Sequence, residues 1–320
     1  MNSNSSFYKL EPDIVLNAIE EYGFHPTGEI TQLNSYENRV FEVKVESKEK
    51  SVIAKFYRPQ RWSEEALKEE HSFLEELKNE GIEAVAPLKN SKNSTLIHCA
   101  GMWVSLFPKI RGRMVQEFNL SDLKSIGRLL ARVHNVGSKK SALHRPSFDE
   151  SHPGGDQGLE LLQAWIAPEV KNRYNQAAEG ILSYLNSHLR SSDYIRVHGD
   201  AHRGNLLSTG DHFFLVDFDD FGNGLPVQDF WMLLSGDPSQ DSTAQGELEA
   251  LLEGYQELRG FDSTQLKHIP ALRGLRIISY ASWIAKRWED PFFPKIFPDF
   301  ETYTYWAEEV EQLEKIAWSL

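Results

Sequence analysis

The sequence predicts an α+β protein of two lobes, a strand-rich N-terminal lobe and a larger, mainly helical C-terminal lobe. Up to residue 107, short segments rich in β-branched and aromatic residues alternate with turn signals, and one long amphipathic segment interrupts them. From residue 114 onward, most apolar residues recur at helical spacing. The stretch PKIRGR between these patterns contains the breakers proline and glycine. We therefore predict lobes at 1–107 and 114–320, joined by a hinge at 108–113.

Local patterns predict the elements of the N-terminal lobe. Ser63 can cap the long helix because its hydroxyl can accept a backbone N–H, and Gly81 ends that helix. The predicted elements are a helix at 11–22, strands at 30–33 and 39–45 flanking a turn at 34–38, a strand at 51–57, a helix at 63–79, and strands at 94–96 and 101–107.

Helical periodicity and breakers predict the C-terminal lobe. Ser121 precedes a run in which Leu123, Ile126, Leu130 and Val133 share one face, so we expect Ser121 to be the N-cap. The predicted elements are helices at 121–136, 159–166, 170–188, 227–235, 243–259, 263–285 and 302–319, with one short strand at 213–216.

Composition narrows the class of partner and the cellular compartment. The net charge of −13 disfavours nucleic acid and anionic membranes as partners, and it mildly favours a cationic substrate or a basic peptide. A single cysteine, Cys99, excludes an intrachain disulfide and a Cys-rich zinc site, which suits a reducing cytosol. Because no secretory signal and no membrane span is recognisable, we expect a cytoplasmic protein.

Residues 195–229 carry the chemistry that the sequence predicts. The polar residues of this segment form two clusters: His198, Asp200, His202 and Asn205, then Asp217, Asp219 and Asp220. Asp200 and Asn205 have the D-x-x-x-x-N spacing of a phosphoryl-transfer loop, and Asp217 follows an apolar strand. Phosphoryl transfer needs a carboxylate at the acceptor hydroxyl and hard oxygen ligands for magnesium. We therefore predict that Asp200 acts at the hydroxyl and that Asn205 and Asp217 bind Mg²⁺.

Lys55 lies inside the apolar strand at 51–57, which leaves two interpretations open. In one, it is an edge-strand lysine with its ammonium group in water. In the other, it contacts nucleotide phosphates and pairs with a helix carboxylate. Glu70 borders the inward face of the following helix and is the expected partner, although Glu69 is an alternative.

Two other interpretations compete for the central segment. The pattern of His198, Asp200 and His202 could hold a transition metal for hydrolysis, but this leaves Asn205, Lys55 and Glu70 without a role. Alternatively, the acids could be solvated turn residues. We expect Asp229 to brace the loop structurally, because it follows a proline at a predicted helix start.

Several sequence blocks resemble a known family. HGDAHRGN at 198–205 with VDFDD at 216–220 resembles the aminoglycoside phosphotransferase and choline kinase-like branch of the protein-kinase superfold. NSYENRV at 34–40 and RWEDPFFPK at 287–295 are more specific, and they resemble the bacterial stress response kinase A family. The resemblance implies a bilobal kinase-like fold and a cytoplasmic, monomeric serine/threonine protein kinase that uses MgATP in surviving envelope or oxidative stress and restraining cell death.

The resemblance also implies roles for individual residues. It makes Asp200 the catalytic aspartate, Asn205 and Asp217 the magnesium ligands, and Lys55 the contact to the ATP phosphates. It also places Ser35 on the nucleotide and adenine in a hinge that runs from Phe107 to Ile110. The chain departs from ordinary protein kinases, because it lacks a G-x-G-x-x-G lid and an A-P-E motif, and has HGD and DFD where they have HRD and DFG.

The leading hypothesis is therefore transfer of the γ-phosphoryl group of ATP to serine or threonine hydroxyls of proteins. The alternatives are a small-molecule kinase that acts on an amino alcohol or aminoglycoside, and a nucleotide-binding regulator without catalysis.

Overall fold

A five-stranded antiparallel sheet forms the N-terminal lobe, with strands in the order β1-β2-β3-β5-β4. The computed structural model describes residues 7–8, 10–48, 50–210 and 212–320. The sheet strands are β1 Pro26–Leu33, β2 Arg39–Val45, β3 Ser51–Phe56, β4 Ile97–Cys99 and β5 Met102–Pro108. Strand β2 alternates between buried and half-buried residues, as expected when one face of a sheet covers a core.

Helices also contribute to this lobe. Helix α1, Pro12–Tyr22, buries Val15, Ile19 and Tyr22 in the same apolar cluster as the sheet residues. Helix α2, Glu64–Asn79, begins where the Ser63 side chain accepts a hydrogen bond from the Ala66 N–H, as predicted. Its inward face is apolar except for Glu70 and His71, so the sequence places two buried polar groups next to β3.

One predicted strand lies three residues further along the chain. Residues 97–99 pair with β5, whereas 94–96 do not. The Asn90 carboxamide accepts the N–H groups of Lys92 and Ser94, and the Ser94 hydroxyl donates to the Leu96 carbonyl. These side-chain hydrogen bonds hold the segment as a turn, so the prediction of a strand there was wrong.

Helices dominate the C-terminal lobe. They are α3 Leu120–Gly137, α4 Asp156–Leu162, α5 Lys171–His188, α6 Gln228–Trp231, α7 Ser242–Gln256, α8 Ile269–Lys286, α9 Phe293–Ile296 and α10 Tyr303–Ser319. Helix α3 is capped by Asn119 rather than by Ser121. Asn119 and Asp122 exchange reciprocal side-chain to backbone hydrogen bonds, which starts the helix at Leu120. A 3₁₀ turn, Ser263–His268, precedes α8, and Pro270 lies in the first turn of α8, where a proline is tolerated.

Five short strands support the loops that face the N-terminal lobe. They are β6 Arg113–Met114, β7 Ile195–Val197, β8 Leu206–Ser208, β9 Phe213–Leu215 and β10 Gly222–Gly224. Strand β8 pairs with β6 and β9, and β7 pairs with β10. The two-lobed α+β prediction is confirmed, whereas the boundaries at 107 and 113 stay predictions. Within the described residues, no helix has the length and apolar character needed to cross a bilayer.

Glu309 on α10 makes stability depend on pH. Its carboxylate accepts hydrogen bonds from Tyr305 at 2.7 Å and Tyr174 at 3.3 Å, and burial raises its pKa to about 7 from an ordinary 4.5. The folded chain therefore holds a proton that the unfolded chain releases, so stability falls as pH rises from about 4.5 to about 7.

We expect Glu309→Gln to be more stable than wild type by about 1–3 kcal/mol near pH 8, with the difference shrinking toward pH 5. Urea unfolding at the two pH values measures this. Glu311→Gln, an exposed change on the same helix, is the matched control. An equal pH dependence in wild type and Glu309→Gln would contradict the assignment.

Candidate active site

A cleft of about 1370 Å³ lies between the N-terminal sheet and the C-terminal helices. Residues from both lobes line it. The site residues named from the sequence all face this cleft: Ser35, Lys55, Glu70, Phe107, Ile110, Asp200, Asn205 and Asp217. Residues that are far apart in sequence are thus brought to one concave surface, as expected for a ligand site.

Buried Asp229 shapes the loop that carries Asp200. One Asp229 oxygen accepts the His198 N–H at 2.7 Å and lies 3.0 Å from His134 Nε2, and the other accepts the Gly199 N–H at 2.8 Å. Burial opposes ionisation of Asp229, but these hydrogen bonds and the neighbouring histidines outweigh it and lower its pKa. Asp229 therefore braces the loop as a carboxylate, in the structural role that we expected.

Gly199 allows the loop to turn sharply before Asp200. Its φ of +82° is unfavourable for residues with a side chain, and an added Cβ would lie 2.5 Å from the Asp220 carbonyl oxygen and 2.3 Å from the Phe148 ring. The loop before Asp200 can therefore lie directly against the backbone at Asp220.

Strand pairing places Asn205 beside Asp217. Leu206 and Leu215 are opposite each other in the β8–β9 ladder, and the Val216 N–H donates to the Asn205 carbonyl at 3.0 Å. The Asn205 amide nitrogen donates to the Asp200 carbonyl at 2.9 Å, so its side-chain oxygen remains available as a ligand. Asp217 itself adopts a left-handed conformation with φ of 60°.

Asn205 and Asp217 fit a hard divalent cation. Both supply oxygen, and the Asp217 side chain is 52% exposed in the cleft. The described residues contain no group of three or more His, Cys, Asp or Glu residues arranged to hold a metal. A magnesium ion accepts such a sparse protein set, because phosphate and water oxygens complete its coordination.

Lys55 is buried among three carboxylates. Its Nζ lies 3.0 Å from Asp217 Oδ1, 3.1 Å from Asp219 Oδ1 and 4.0 Å from Glu70 Oε1. Burial alone would lower the pKa of Lys55, but Asp217, Asp219 and Glu70 outweigh it, and the pKa lies well above its ordinary value. The structure therefore disagrees with a solvated edge lysine. It places Glu70 near Lys55, whereas Glu69 accepts the backbone N–H groups of residues 143 and 144.

Two arginines that the sequence analysis missed complete this cluster. Arg145 donates to Glu70 at 2.8 Å, to the Asp219 carbonyl at 2.7 Å and to the Ala66 carbonyl at 2.9 Å, so it ties α2 to the turn after β9. Arg61 pairs with both Asp219 and Asp220. Arg61 and Arg145 lie in segments without periodicity, so local pattern gave no signal for them.

Asp200 lines the cleft and contacts helix α8. Its Oδ1 lies 2.8 Å from the Arg276 guanidinium on α8. Burial raises the pKa of Asp200, and Arg276 opposes this increase. The transition-metal interpretation of this loop is not supported, because His198 bonds backbone groups through both ring nitrogens, the Asp200 N–H at Nδ1 and the Val216 carbonyl at Nε2.

The predicted nucleotide contacts Ser35, Phe107 and Ile110 line the same cleft. Ser35 Oγ accepts the Asn38 N–H at 3.3 Å within the β1–β2 turn. Phe107 lies near the end of β5, and its ring packs edge-on against His71. Their proximity to one cavity agrees with the predicted nucleotide contacts, which stay predictions.

Replacing Lys55 by glutamine removes the cation that lies among Asp217, Asp219 and Glu70. We expect kcat/KM for ATP to fall about 10²-fold or more, since the predicted phosphate contact and the charge balance of the site would both be lost. Steady-state kinetics with varied ATP measures this. Lys44→Gln, on the neighbouring strand β2, is the control. Unchanged dependence on ATP in Lys55→Gln would contradict the assignment.

Comparison with known proteins identifies the class. A model described as the phosphotransferase enzyme family matches residues 29–261. The solved amicoumacin kinase hAmiN, in complex with AMP-PNP, Ca²⁺ and Ami, has a TM-score of 0.79 at 18% identity and covers 99% of this chain and 96% of its own. The fold and the matched family define a phosphotransferase of kinase-like architecture.

Curated relatives narrow this class. Stress response kinase A of Escherichia coli strain K12 is 34% identical over 310 residues, which are 96% of this chain and 93% of the relative. Serine/threonine protein kinase RdoA of Salmonella typhimurium is 35% identical over 313 residues, 97% and 93% of the two chains. The chain therefore belongs to the stress response kinase A family of phosphotransferases.

Proposed function

We propose that this protein is an ATP- and Mg²⁺-dependent kinase that phosphorylates serine or threonine hydroxyls of proteins in a bacterial stress response. One observation carries the proposal: Asp200, Asn205 and the Lys55–Asp217 ion pair face the same cleft from two lobes. These groups correspond to the parts that phosphoryl transfer requires, namely a carboxylate for the hydroxyl, oxygen ligands for the metal and a cation for the phosphates.

Each residue of the site has a separate role in the proposed phosphoryl transfer. The acceptor oxygen forms a bond to the γ-phosphorus of ATP as the bond to the β-phosphate oxygen breaks, and ADP leaves. Asp200 accepts the proton that the hydroxyl loses, and burial strengthens its basicity by raising its pKa. Asn205 and Asp217 would hold Mg²⁺, which neutralises phosphate charge. Lys55 positions the phosphates from the opposite lobe.

The finer assignments rest on the relatives. The Escherichia coli and Salmonella proteins carry names that specify a stress response kinase and a serine/threonine protein kinase. The identity of 34% and 35% extends over 93% or more of each chain, which supports a shared activity and a shared acceptor class. We also propose that the protein acts in the cytoplasm as a monomer.

A small-molecule kinase is the second candidate. Tyr280 and Trp283 stack at a centroid distance of 5.4 Å along the cleft, a surface that could bind a flat or sugar ring. The fold of the amicoumacin kinase is similar over almost the whole chain.

Incubation with γ-labelled ATP, Mg²⁺ and acceptor proteins separates these functions. The proposal predicts label on serine or threonine of the protein. Label only on an added aminoglycoside or amino alcohol would favour the second candidate. Nucleotide binding without transfer would favour a non-catalytic regulator. Omitting Mg²⁺ or adding a chelator is expected to stop transfer.

A further inference from the structure

The face of helix α8 that lines the cleft is cationic. Between Ile269 and Lys286 the helix contains Arg273, Arg276 and Lys286 but no acidic residue. Most of the α8 residues that line the cleft recur at helical spacing and form one stripe, the α8 stripe: Arg276, Ser279, Tyr280, Trp283 and Lys286. Ser282 also lines the cleft. Arg276, the first residue of the stripe, contacts Asp200, and the other residues follow along the helix away from this contact. A protein whose hydroxyl reaches Asp200 would therefore place the residues next to that hydroxyl along the stripe.

Arg276 joins the stripe to the reacting end of the cleft. One guanidinium nitrogen lies 2.8 Å from Asp200 Oδ1, and the side chain remains 37% exposed. A guanidinium carries five N–H donors in a planar fork, so a single contact to Asp200 leaves donors that can point to an incoming ligand. Arg276 can therefore contact Asp200 and an acceptor anion together.

Lys286 lies at the far end of the stripe with its charge uncompensated. It is exposed and lines the cleft, and among the ion pairs of the described residues it has no partner. Partial burial of the ammonium group and the nearby Arg287 lower the pKa of Lys286. A carboxylate bound beside Lys286 would pair with this cation.

The acids near the stripe are mostly engaged. Glu37 pairs with Arg58 at 3.2 Å and with Arg287 at 2.5 Å, and it accepts a hydrogen bond from the Trp283 indole. Asp220 pairs with Arg61, and Asp200 with Arg276. Glu289 also lines the cleft and is exposed. The cationic stretch therefore ends before Glu289, three residues after Lys286.

We infer that the acceptor is an acidic protein segment, in which Asp or Glu side chains flank the serine or threonine and bind Arg276 and Lys286. The inference rests on the proposed function, because it takes the acceptor to be a protein. It reverses the expectation from the net charge of −13, because a contact at a few ångströms outweighs a screened long-range field. Arg276 and Lys286 then act as specificity residues.

A peptide panel tests this preference. The peptides have equal length, one central serine and flanks of Glu, Gln or Lys. We expect kcat/KM to be about tenfold or more higher for the Glu peptide than for the Lys peptide, and the ratio to shrink at high salt. Equal rates, or a preference for the Lys peptide, would overturn the inference while leaving the proposed function intact.

Substitutions test whether the α8 stripe causes the preference for acidic peptides. Lys286→Gln should raise KM for the Glu peptide by about three- to tenfold, with little change in kcat or in KM for the Gln peptide. Arg273→Gln is the matched control, since it removes the same charge from the same helix but lies outside the cleft and pairs with Asp237. An equal effect of the two changes, or a Lys286→Gln effect alike on all peptides, would contradict the assignment.

A binding measurement separates the inference from the proposed function. Fluorescence anisotropy with peptides in which Ala replaces Ser reports recognition without transfer. Tighter binding of the Glu peptide, weakened by Lys286→Gln, supports recognition of an acidic segment by the α8 stripe even if no peptide is phosphorylated. Absence of phosphorylation would then reject only the protein kinase activity. No charge preference in binding and in transfer would overturn the inference.

Discussion

Asp200→Asn is expected to lower kcat by roughly 10²–10⁴-fold, with little change in KM for ATP. In the proposed mechanism the carboxylate takes the hydroxyl proton, and an amide of the same size cannot take it. Asp200 is held between the loop that Asp229 braces and the Arg276 guanidinium, so the substitution should alter chemistry more than position. Initial rates at saturating ATP, combined with the unfolding midpoint, measure both effects.

The control for Asp200→Asn is Asp299→Asn, an exposed change outside the cleft. We expect wild-type kinetics from the control and near wild-type stability from both variants. If Asp200→Asn retained half of the activity, the role of Asp200 as base would be wrong. If it instead raised KM for ATP alone, Asp200 would belong to the nucleotide end of the cleft.

Asp217→Asn is expected to reduce kcat/KM by about 10²-fold or more and to raise the Mg²⁺ concentration needed for half-maximal activity. The substitution removes the proposed charged ligand of the metal, and it also removes the carboxylate 3.0 Å from Lys55 Nζ. Titrating Mg²⁺ at fixed ATP separates the metal effect from the nucleotide effect.

Asp220→Asn is a comparator for Asp217→Asn, because Asp220 lies in the same turn but pairs with Arg61. We expect its Mg²⁺ dependence to stay closer to wild type. Equal Mg²⁺ dependence in wild type and Asp217→Asn would show that Asp217 does not bind the metal. A larger metal effect from Asp220→Asn would move the ligand to Asp220.

Local sequence predicted the parts of the site that local structure determines. Asp200 and Asn205 are five residues apart, and a hydrogen bond from the Asn205 side-chain amide to the Asp200 carbonyl joins them, so their spacing is sufficient to place them together. Asp217 follows a short apolar strand whose pairing brings it beside Asn205. Lys55 and Glu70 were predictable because each lies at a fixed phase of a periodic element, on β3 and α2.

The arginines could not be predicted in the same way. Arg145 reaches Glu70 across 75 residues, and Arg61 reaches Asp219 across 158. Long flexible side chains can find partners from irregular loops, and such contacts depend on the tertiary fold rather than on periodicity. The start of α3 shows the same limit of local sequence. Asn119 and Ser121 are both capping residues, and the hydrogen bonds formed in the fold make Asn119 the N-cap.

Net charge predicted less than the local arrangement does. The chain is acidic overall, yet its acids at the cleft are largely paired with Arg and Lys, while α8 presents Arg276 and Lys286 there, and Lys286 has no ion-pair partner among the described residues. A sum over the sequence cannot separate these environments, because it does not say which charges share a surface.

The most direct test of the central claim is mass-spectrometric mapping of phosphate on an acceptor protein after incubation with ATP and Mg²⁺. Wild type is expected to place phosphate on serine or threonine, and Asp200→Asn and Asp217→Asn are expected to leave these positions unmodified. Phosphorylation that survives in both variants, or wild-type protein that binds ATP without modifying any hydroxyl, would contradict a kinase built from these residues.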